Sequence, residues 1–326
     1  MMTDAAVEFS DFRVAALAGG VGGAKLVRGL DSVLQPGKLT VIVNTGDDFV
    51  HFGLQICPDL DTVCYALAGL ADPMKGWGRA DETWQVFTSL AELDAPTWFQ
   101  LGDKDLALHL ERTRLLQSGW SLSALTRGFC DRWNIRSRVL PMCDEPFRTR
   151  VRTAEGKLLD FQEYFVRERC EPKVQEFVFA HAENIQAAPE VLPALLEADL
   201  VVLCPSNPWV SIDPILHLPG IREILQEKVV VAVSPIIQGK TIKGPAAKMF
   251  AELGIPPSSL SVLDHYADFL DGFVYDALDR EVFQNYDAER IILYGTDTLM
   301  KTDEDKTRLA AEVLRFGQNL ISRKAP

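Results

Sequence analysis

Arg13-Val-Ala-Ala-Leu-Ala-Gly-Gly-Val-Gly-Gly-Ala-Lys25 decides the fold. Arg13-Val-Ala-Ala-Leu17 is a short apolar run that ends at Gly19 and Gly20. A helical pattern follows over residues 24–34, and residues 39–43 read as a second buried strand. Strand, glycine turn, helix and strand make a βαβ unit, which implies a parallel sheet. The same grammar returns in Asp199-Leu-Val-Val-Leu-Cys204, Lys228-Val-Val-Val-Ala-Val-Ser234 and Arg290-Ile-Ile-Leu-Tyr294. Continuous apolar runs of strand length suit strands covered by helices on both faces. Residues 303–321 look helical, with Thr302 and Asp305 placed as a capping pair. The expected fold is α/β: a Rossmann-like, doubly wound, mostly parallel sheet in three α/β/α layers.

Between the halves the texture changes. Apolar residues at 60, 63, 64 and 67 form a helical stripe over 59–70, and 82–93, 104–117 and 121–133 also read as helices. Residues 58–134 are therefore expected to form a helical insertion subdomain of three to five helices. It would interrupt a discontinuous nucleotide-binding domain of residues 12–57 and 135–322, with a cleft between the two. Residues 148–166 read as a β-hairpin turning at Ala154-Glu-Gly-Lys157.

Composition narrows the classes of function. The 326 residues are 47% apolar and 24% charged, the proportions of an ordinary globular protein. The 33 basic and 46 acidic residues give a net charge of −13, which argues against non-specific binding to nucleic acid or anionic membranes. A phosphate ligand must then be held by local donors or a metal. No apolar stretch approaches the roughly 20 residues of a membrane span. The six cysteines form no CxxC pair, so reduced thiols in a cytoplasmic protein are expected.

Six segments carry candidate chemistry. Ala18-Gly-Gly-Val-Gly-Gly-Ala-Lys25 leaves a strand and opens a helix, so Gly20, Gly22 and Gly23 would let backbone approach a phosphate, with Lys25 adding charge. It matches neither the P-loop, which needs Gly before and Ser or Thr after the lysine, nor the dinucleotide fingerprint, which needs Gly at Lys25. The competing view is a tight turn without a ligand. Asn44-Thr-Gly-Asp-Asp48 lies at a strand's carboxyl end, where Asp47 and Asp48 could hold Mg²⁺ or ribose hydroxyls, or merely cap a solvated turn. In Cys57-Pro-Asp-Leu-Asp-Thr62 the two carboxylates point to different sides of a helix, and Asp61, off the apolar stripe, is expected to face the cleft. Asp105, His109 and Arg112 share one helix stripe, either solvated or lining the cleft. Pro205-Ser-Asn-Pro208 and Ser234-Pro-Ile-Ile-Gln-Gly-Lys240 are two further strand exits bearing ligand-type residues, with proline-shaped turns as the bland alternative.

Together these segments, with Gly76-Trp-Gly78, Leu101-Gly-Asp-Lys-Asp105 and Thr296-Asp-Thr-Leu-Met300, resemble the CofD family, the 2-phospho-L-lactate transferases of coenzyme F-420 biosynthesis, called FbiA in actinobacteria. The resemblance runs from Gly19 to about Thr302. It implies a Mg²⁺-dependent, homodimeric, cytoplasmic enzyme. Such an enzyme moves a phosphorylated three-carbon acid from a guanosine-diphosphate-linked donor to the deazaflavin Fo and releases GMP. By similarity, Asp47 and Asp61 hold the metal, with Asp61 and Asp48 in the catalytic roles. Gly20, Gly22, Gly23, Lys25, Ser206, Asn207 and Ser234 surround the nucleotide, and Asp61, Lys104, His109 and Arg112 face Fo. Trp77 or Trp84 is expected to wall the tricycle, ordinary packing being the alternative.

Cys143 stands where a small hydroxyl residue is expected, and Gln238 where a glycine is common. Either could alter the acid pocket, so lactyl, enolpyruvyl and 3-phosphoglyceryl donors all stay open. Two rivals remain: a nicotinamide-dependent oxidoreductase using Asp47 or Asp48 on the ribose, and a non-catalytic nucleotide-binding regulator of the same fold.

Overall fold

Val14–Ala18 (β1) and Leu39–Val43 (β2) are buried at every position and lie side by side in parallel register, Val14 opposite Leu39 and Ala18 opposite Val43. Between them runs Gly20–Val33 (α1). The computed structural model describes residues 9–242, 244–286 and 291–324. After β2 come a small antiparallel hairpin, Phe49–His51 (β3) and Leu54–Ile56 (β4), and four helices: Pro58–Ala68 (α2), Gln85–Glu92 (α3), Asp103–Gln117 (α4) and Leu122–Arg132 (α5). Arg138–Pro141 (β5) returns to the sheet beside β2.

A separate antiparallel sheet follows, made of Phe147–Thr153 (β6), Leu158–Asp160 (β7) and Val174–His181 (β8), with β6 in the middle. The expected hairpin over 148–166 is therefore only half of this unit. Its second limb stops at Asp160, where the chain enters a widened helical turn at Glu163–Arg167. The strand β8, absent from the sequence expectation, completes the sheet against β6.

The chain then forms Val191–Glu197 (α6), Leu200–Leu203 (β9), Asp213–Leu216 (α7), Ile221–Glu227 (α8) and Val230–Val233 (β10). A two-residue hairpin, Ile236–Ile237 (β11) with Lys240–Thr241 (β12), leads to Ala246–Glu252 (α9) and Ser259–Tyr266 (α10). Gly272–Asp276 (β13), Ile292–Thr296 (β14) and Asp303–Lys324 (α11) finish the fold. Thr302 and Asp305 cap α11 reciprocally: Asp305 N–H donates to Thr302 Oγ1 at 3.2 Å and Thr302 N–H to Asp305 Oδ2 at 2.9 Å.

The main sheet has seven strands in the order β14-β13-β10-β9-β1-β2-β5, all parallel. Successive residues of β1 feed opposite cores. Ala15 and Leu17 join a cluster with α6, α8 and α10, whereas Val14, Ala16 and Ala18 join one with α1, α2 and α11. That is the three-layer α/β/α arrangement. Each large apolar side chain fully withdrawn from water contributes about 1.5–3 kcal/mol, so these two cores carry the fold. No helix among the described residues is long and apolar enough to cross a membrane.

The winding fixes where a ligand can sit. The chain starts at β1 in mid-sheet, moves outward through β2 to β5, then resumes at β9 on the other flank of β1. Order reverses between β1 and β9, and crevices open at the carboxyl edge of such a reversal. The helix α1 starts at Gly20, four residues before the expected Ala24. Glycine's poor helix propensity argues for a loop there, but tertiary contacts override it.

Candidate active site

A cleft of about 720 Å³ opens at that reversal point. Gly20, Gly22, Lys25, Ser206, Asn207 and Ser234 line it, as do Asp47, Asp59 and Asp61. So the exits of β1, β2, β9 and β10 converge on one space with the start of α2.

One end is built from backbone. Gly20 adopts φ +63°, a left-handed conformation suited to glycine. A Cβ at Gly22 would lie 2.4 Å from the Pro205 carbonyl oxygen. The Ser206 hydroxyl accepts from Gly19 N–H at 3.1 Å and donates to the Gly19 carbonyl at 2.8 Å, tying the two strand exits together. Gly23 does not line the cleft; it packs beneath the Ser206 hydroxyl, where a Cβ would come within 2.5 Å of Oγ. The glycine-rich start of α1 thus lines the cavity, its Gly20 amide donating to Asp59, with Lys25 beside it, whose ammonium donates to the Met300 carbonyl at 2.9 Å. Replacing Gly22 with Ala forces α1 away from the β9 exit, because the obstacle is backbone. We expect this variant to stay folded and, with the guanosine diphosphate that the sequence resemblance implies, to bind at least about tenfold more weakly by calorimetry, since a small misplacement is costly in a built site.

The floor is acidic and deeply buried. Asn44 Nδ2 donates to Asp59 Oδ2 at 2.9 Å, and its Oδ1 accepts from Gly46 N–H at 2.7 Å. Gln162 Nε2 donates to Asp47 Oδ2 at 2.8 Å, which leaves Asp47 Oδ1 buried without a protein partner. Burial, then Asp59, then Asp48, push the Asp47 carboxyl well above its ordinary range. Burial pushes Asp59 up to about 6, against the hydrogen bonds from Asn44 and the Gly20 amide. Two oxygen-bearing acids that repel each other, one with an unmatched oxygen, fit a hard divalent cation. Asp48 is different: it is buried below the surface and does not line the cleft. Burial raises it to about 7, partly offset by Cys57, Arg112 and Arg148.

Asp61 faces the cleft as expected, but so does Asp59. Asp61 is also already paired. Arg112, 1% exposed, binds it with both terminal nitrogens, Nη1 to Oδ2 at 3.0 Å and Nη2 to Oδ1. Burial works against the charge on Arg112, but Asp61 and Cys57 outweigh it and hold the guanidinium above its usual value. Arg112 Nη1 also meets His109 Nδ1 at 3.1 Å, His109 Nε2 faces Asp105 at 3.5 Å, and Tyr65 donates to Asp105 Oδ1 at 2.6 Å. Because an arginine has no acceptor, His109 Nδ1 must be bare and its proton on Nε2. Asp105 and His109 line the cleft, whereas Arg112 stands behind Asp61 and does not reach the cavity.

The far end is aromatic. Trp77, Trp98, Phe99 and Tyr65 line it from the helical segment, and Lys75 lies over Trp77 and Trp84, 5.1 and 4.5 Å from their centroids. Trp84 itself does not line the cleft. Lys104 is exposed and outside it, its ammonium bound to the Ala80 carbonyl at 3.1 Å, so its place is a helix-to-loop tie. Phe161, Gln162 and Phe165 form a further wall that sequence patterning missed. The two sequence departures stay off the cleft. Cys143 is buried, donating to the Glu145 carbonyl at 3.3 Å, and Gln238 occupies φ +49° in the β11–β12 turn, where glycine would relieve strain. The six cysteines are unpaired.

A family model described as 2-phospho-L-lactate transferase CofD matches residues 14–314. A "Phosphoenolpyruvate transferase" of Thermobifida fusca is 44% identical over 299 residues, covering 87% of this chain and 93% of that protein. One of Streptomyces coelicolor with the same name is 41% identical over 316 residues, covering 94% and 99%. Among solved structures, a UPF0052-family protein from Bacillus halodurans superposes with TM-score 0.60 over 93% of this chain and 100% of its own, at 15% identity. That likeness concerns the fold alone.

Proposed function

Given that the chain belongs to the CofD family and is a phosphotransferase, we propose that it moves a phosphoenolpyruvyl group from a guanosine-diphosphate-linked donor to the deazaflavin Fo, releasing GMP. The observation that carries this reading is one cleft lined by the glycine-rich start of α1 with Lys25, by buried carboxylates and by aromatic side chains. The enolpyruvyl choice follows the names of the relatives.

In this reading, the Gly22 amide and the Lys25 ammonium hold the diphosphate oxygens, the Gly20 amide holds Asp59, and Ser206 fixes the distance between the two strand exits. Asp47 and Asp59 would hold Mg²⁺, and the ion would supply positive charge against the diphosphate. Asp59 takes the place of Asp61 in the metal pair expected from sequence, and Asp61 stands beside it: its two oxygens are engaged by Arg112, so it orients the attacking hydroxyl of Fo through its cleft-facing edge. Asp48 supports the floor from below. His109, locked with its proton on Nε2, is a donor toward Asp105 and the acceptor side. The enzyme is proposed to act as a cytoplasmic homodimer.

The test is mass spectrometry of purified protein with Mg²⁺, Fo and each of the lactyl, enolpyruvyl and 3-phosphoglyceryl donors. The expected result is GMP with the enolpyruvyl phosphodiester of Fo as the dominant product. A preference for another donor moves the acid assignment only. No reaction with any donor, while guanosine diphosphate still binds, favours the nucleotide-binding regulator.

A further inference from the structure

The chemistry proposed above brings two planar heterocycles, guanine and a deazaflavin, into one cleft, and the cleft has two separate aromatic walls. One is Trp77, Trp98 and Phe99. The other lies on the segment following β7. There Phe161 and Phe165 stack with centroids 5.6 Å apart and planes 5° from parallel. Phe161 is 7% exposed and belongs to the core, whereas Phe165 is 36% exposed and turns into the cavity.

Resting on the transferase reading, we propose that Phe165, backed by Phe161, is the stacking platform for one of the two heterocycles, and that Gln162 couples this platform to Asp47. The ligand class is a planar heteroaromatic ring, from the acceptor tricycle or from guanine.

Three features make the platform a built one. Gln162 is 5% exposed and sits between the two phenylalanines in sequence, and its amide donates to Asp47 Oδ2 at 2.8 Å. The segment that carries both phenylalanines is therefore tied to the floor carboxylate. The turn itself is a widened one, Glu168 N–H reaching the Glu163 carbonyl at 2.8 Å and Cys170 N–H the Tyr164 carbonyl at 2.9 Å. Such turns are uncommon and concentrate at functional sites. Arg169 and Cys170 then take φ of +50° and +58°, conformations unfavourable for residues with a Cβ. Tyr164, fully buried, pins the turn with Lys248, whose ammonium meets the Tyr164 hydroxyl and the Pro172 carbonyl at 3.3 Å each. The strained turn is thus held by Tyr164, a member of the buried core, and by Lys248.

The test is calorimetric binding of GDP and of Fo, each alone, to the wild type, Phe165→Leu and Phe165→Tyr. Leu keeps apolar bulk but loses the ring; Tyr keeps the ring. Stacking on an aromatic side chain contributes about 1–3 kcal/mol per base, so the leucine variant should lose about 5- to 100-fold in affinity for one ligand and keep the other within twofold, and tyrosine should restore it. Loss of Fo binding assigns the platform to the acceptor, and loss of GDP binding assigns it to guanine. Unchanged affinity for both ligands, at unchanged Tm, overturns the platform. So does loss of both without rescue by tyrosine. Wild-type protein that binds neither ligand contradicts the transferase reading instead, a result no Phe165 variant can mimic.

Discussion

Asp47→Asn should abolish transfer and yet make the metal-free protein more stable. The substitution keeps shape, since the new Oδ1 can still accept from Gln162 Nε2, but it removes the charge that a divalent cation would neutralise. Loss of such an anchor costs at least about 100-fold in rate. The stability gain follows from linkage. Burial, Asp59 and Asp48 raise the folded-state pKa of Asp47 well above the ordinary 3.8. An acid raised on folding penalises the folded state in its ionised form, so the penalty is absent below about pH 4 and grows as pH rises toward the folded pKa. Removing the carboxyl lifts a penalty that is present at pH 8 and close to zero at pH 4, so the variant should melt above wild type at pH 8 and level with it at pH 4. Thermal melts at both pH values, with and without Mg²⁺, check this. Mg²⁺ should raise the wild-type Tm and leave the variant's unchanged. A variant that melts lower than wild type at pH 8 without metal, or that retains transfer, contradicts the assignment of Asp47.

Arg112→Ala should be among the most destabilising single changes in the molecule. It strands Asp61, whose oxygens both face the guanidinium and whose side chain is nearly buried. It also takes a donor from His109 Nδ1 and opens a void beneath the cleft floor. Removing one partner of a buried ion pair costs about 3–5 kcal/mol, because the survivor is left uncompensated. For a chain of this size that corresponds to a fall in Tm of about 4–7 °C. The double variant Arg112→Met, Asp61→Asn should recover most of the loss, since replacing both charges removes the desolvation penalty, but it should not recover transfer. Urea unfolding separates the two: a single-variant loss below about 1 kcal/mol would show that Asp61 does not depend on Arg112.

The parallel sheet was legible because its signals are local and redundant. Residues 14–18 and 200–203 are apolar without interruption, and 39–43 are apolar but for Thr40, which is what a strand covered on both faces needs, and glycines mark the first exit. The capping pair of Thr302 and Asp305 was legible for the same reason. The start of α1 was not: Gly20, Gly22 and Gly23 read as loop by propensity, and only their close approach to Pro205 and Ser206 makes a helix start there. Strand β8 escaped because its outer residues alternate weakly, from Gln175 and Glu176 exposed to Phe177 and Phe179 half-buried.

The site divides along the same line. Asp47, Ser206, Asn207 and Ser234 sit just past strand ends, and Lys25 lies in the second turn of the helix that follows the first of those strands. Asp59 and Asp61 lie on a helix, where two positions differ by about 200° of rotation, so periodicity predicts one facing the cleft. Both reach it because α2 meets the cavity with its first turn, carrying both carboxylates past the end of the helix. Lys104 and Arg112 were grouped with the acceptor by motif; their partners, the Ala80 carbonyl and Asp61, are set by tertiary contacts that no spacing encodes. Gln162 has no periodic signature at all, since it belongs to the widened turn.

The most direct test of the whole account is whether GMP release depends on Fo. Purified protein, Mg²⁺ and the enolpyruvyl guanosine-diphosphate donor are followed by chromatography with and without Fo. One GMP for each Fo phosphodiester formed, and almost none when Fo or Mg²⁺ is omitted, is the predicted result. GMP release at the same rate without Fo would make the protein a hydrolase of the donor, and the acceptor half of the cleft would need another occupant.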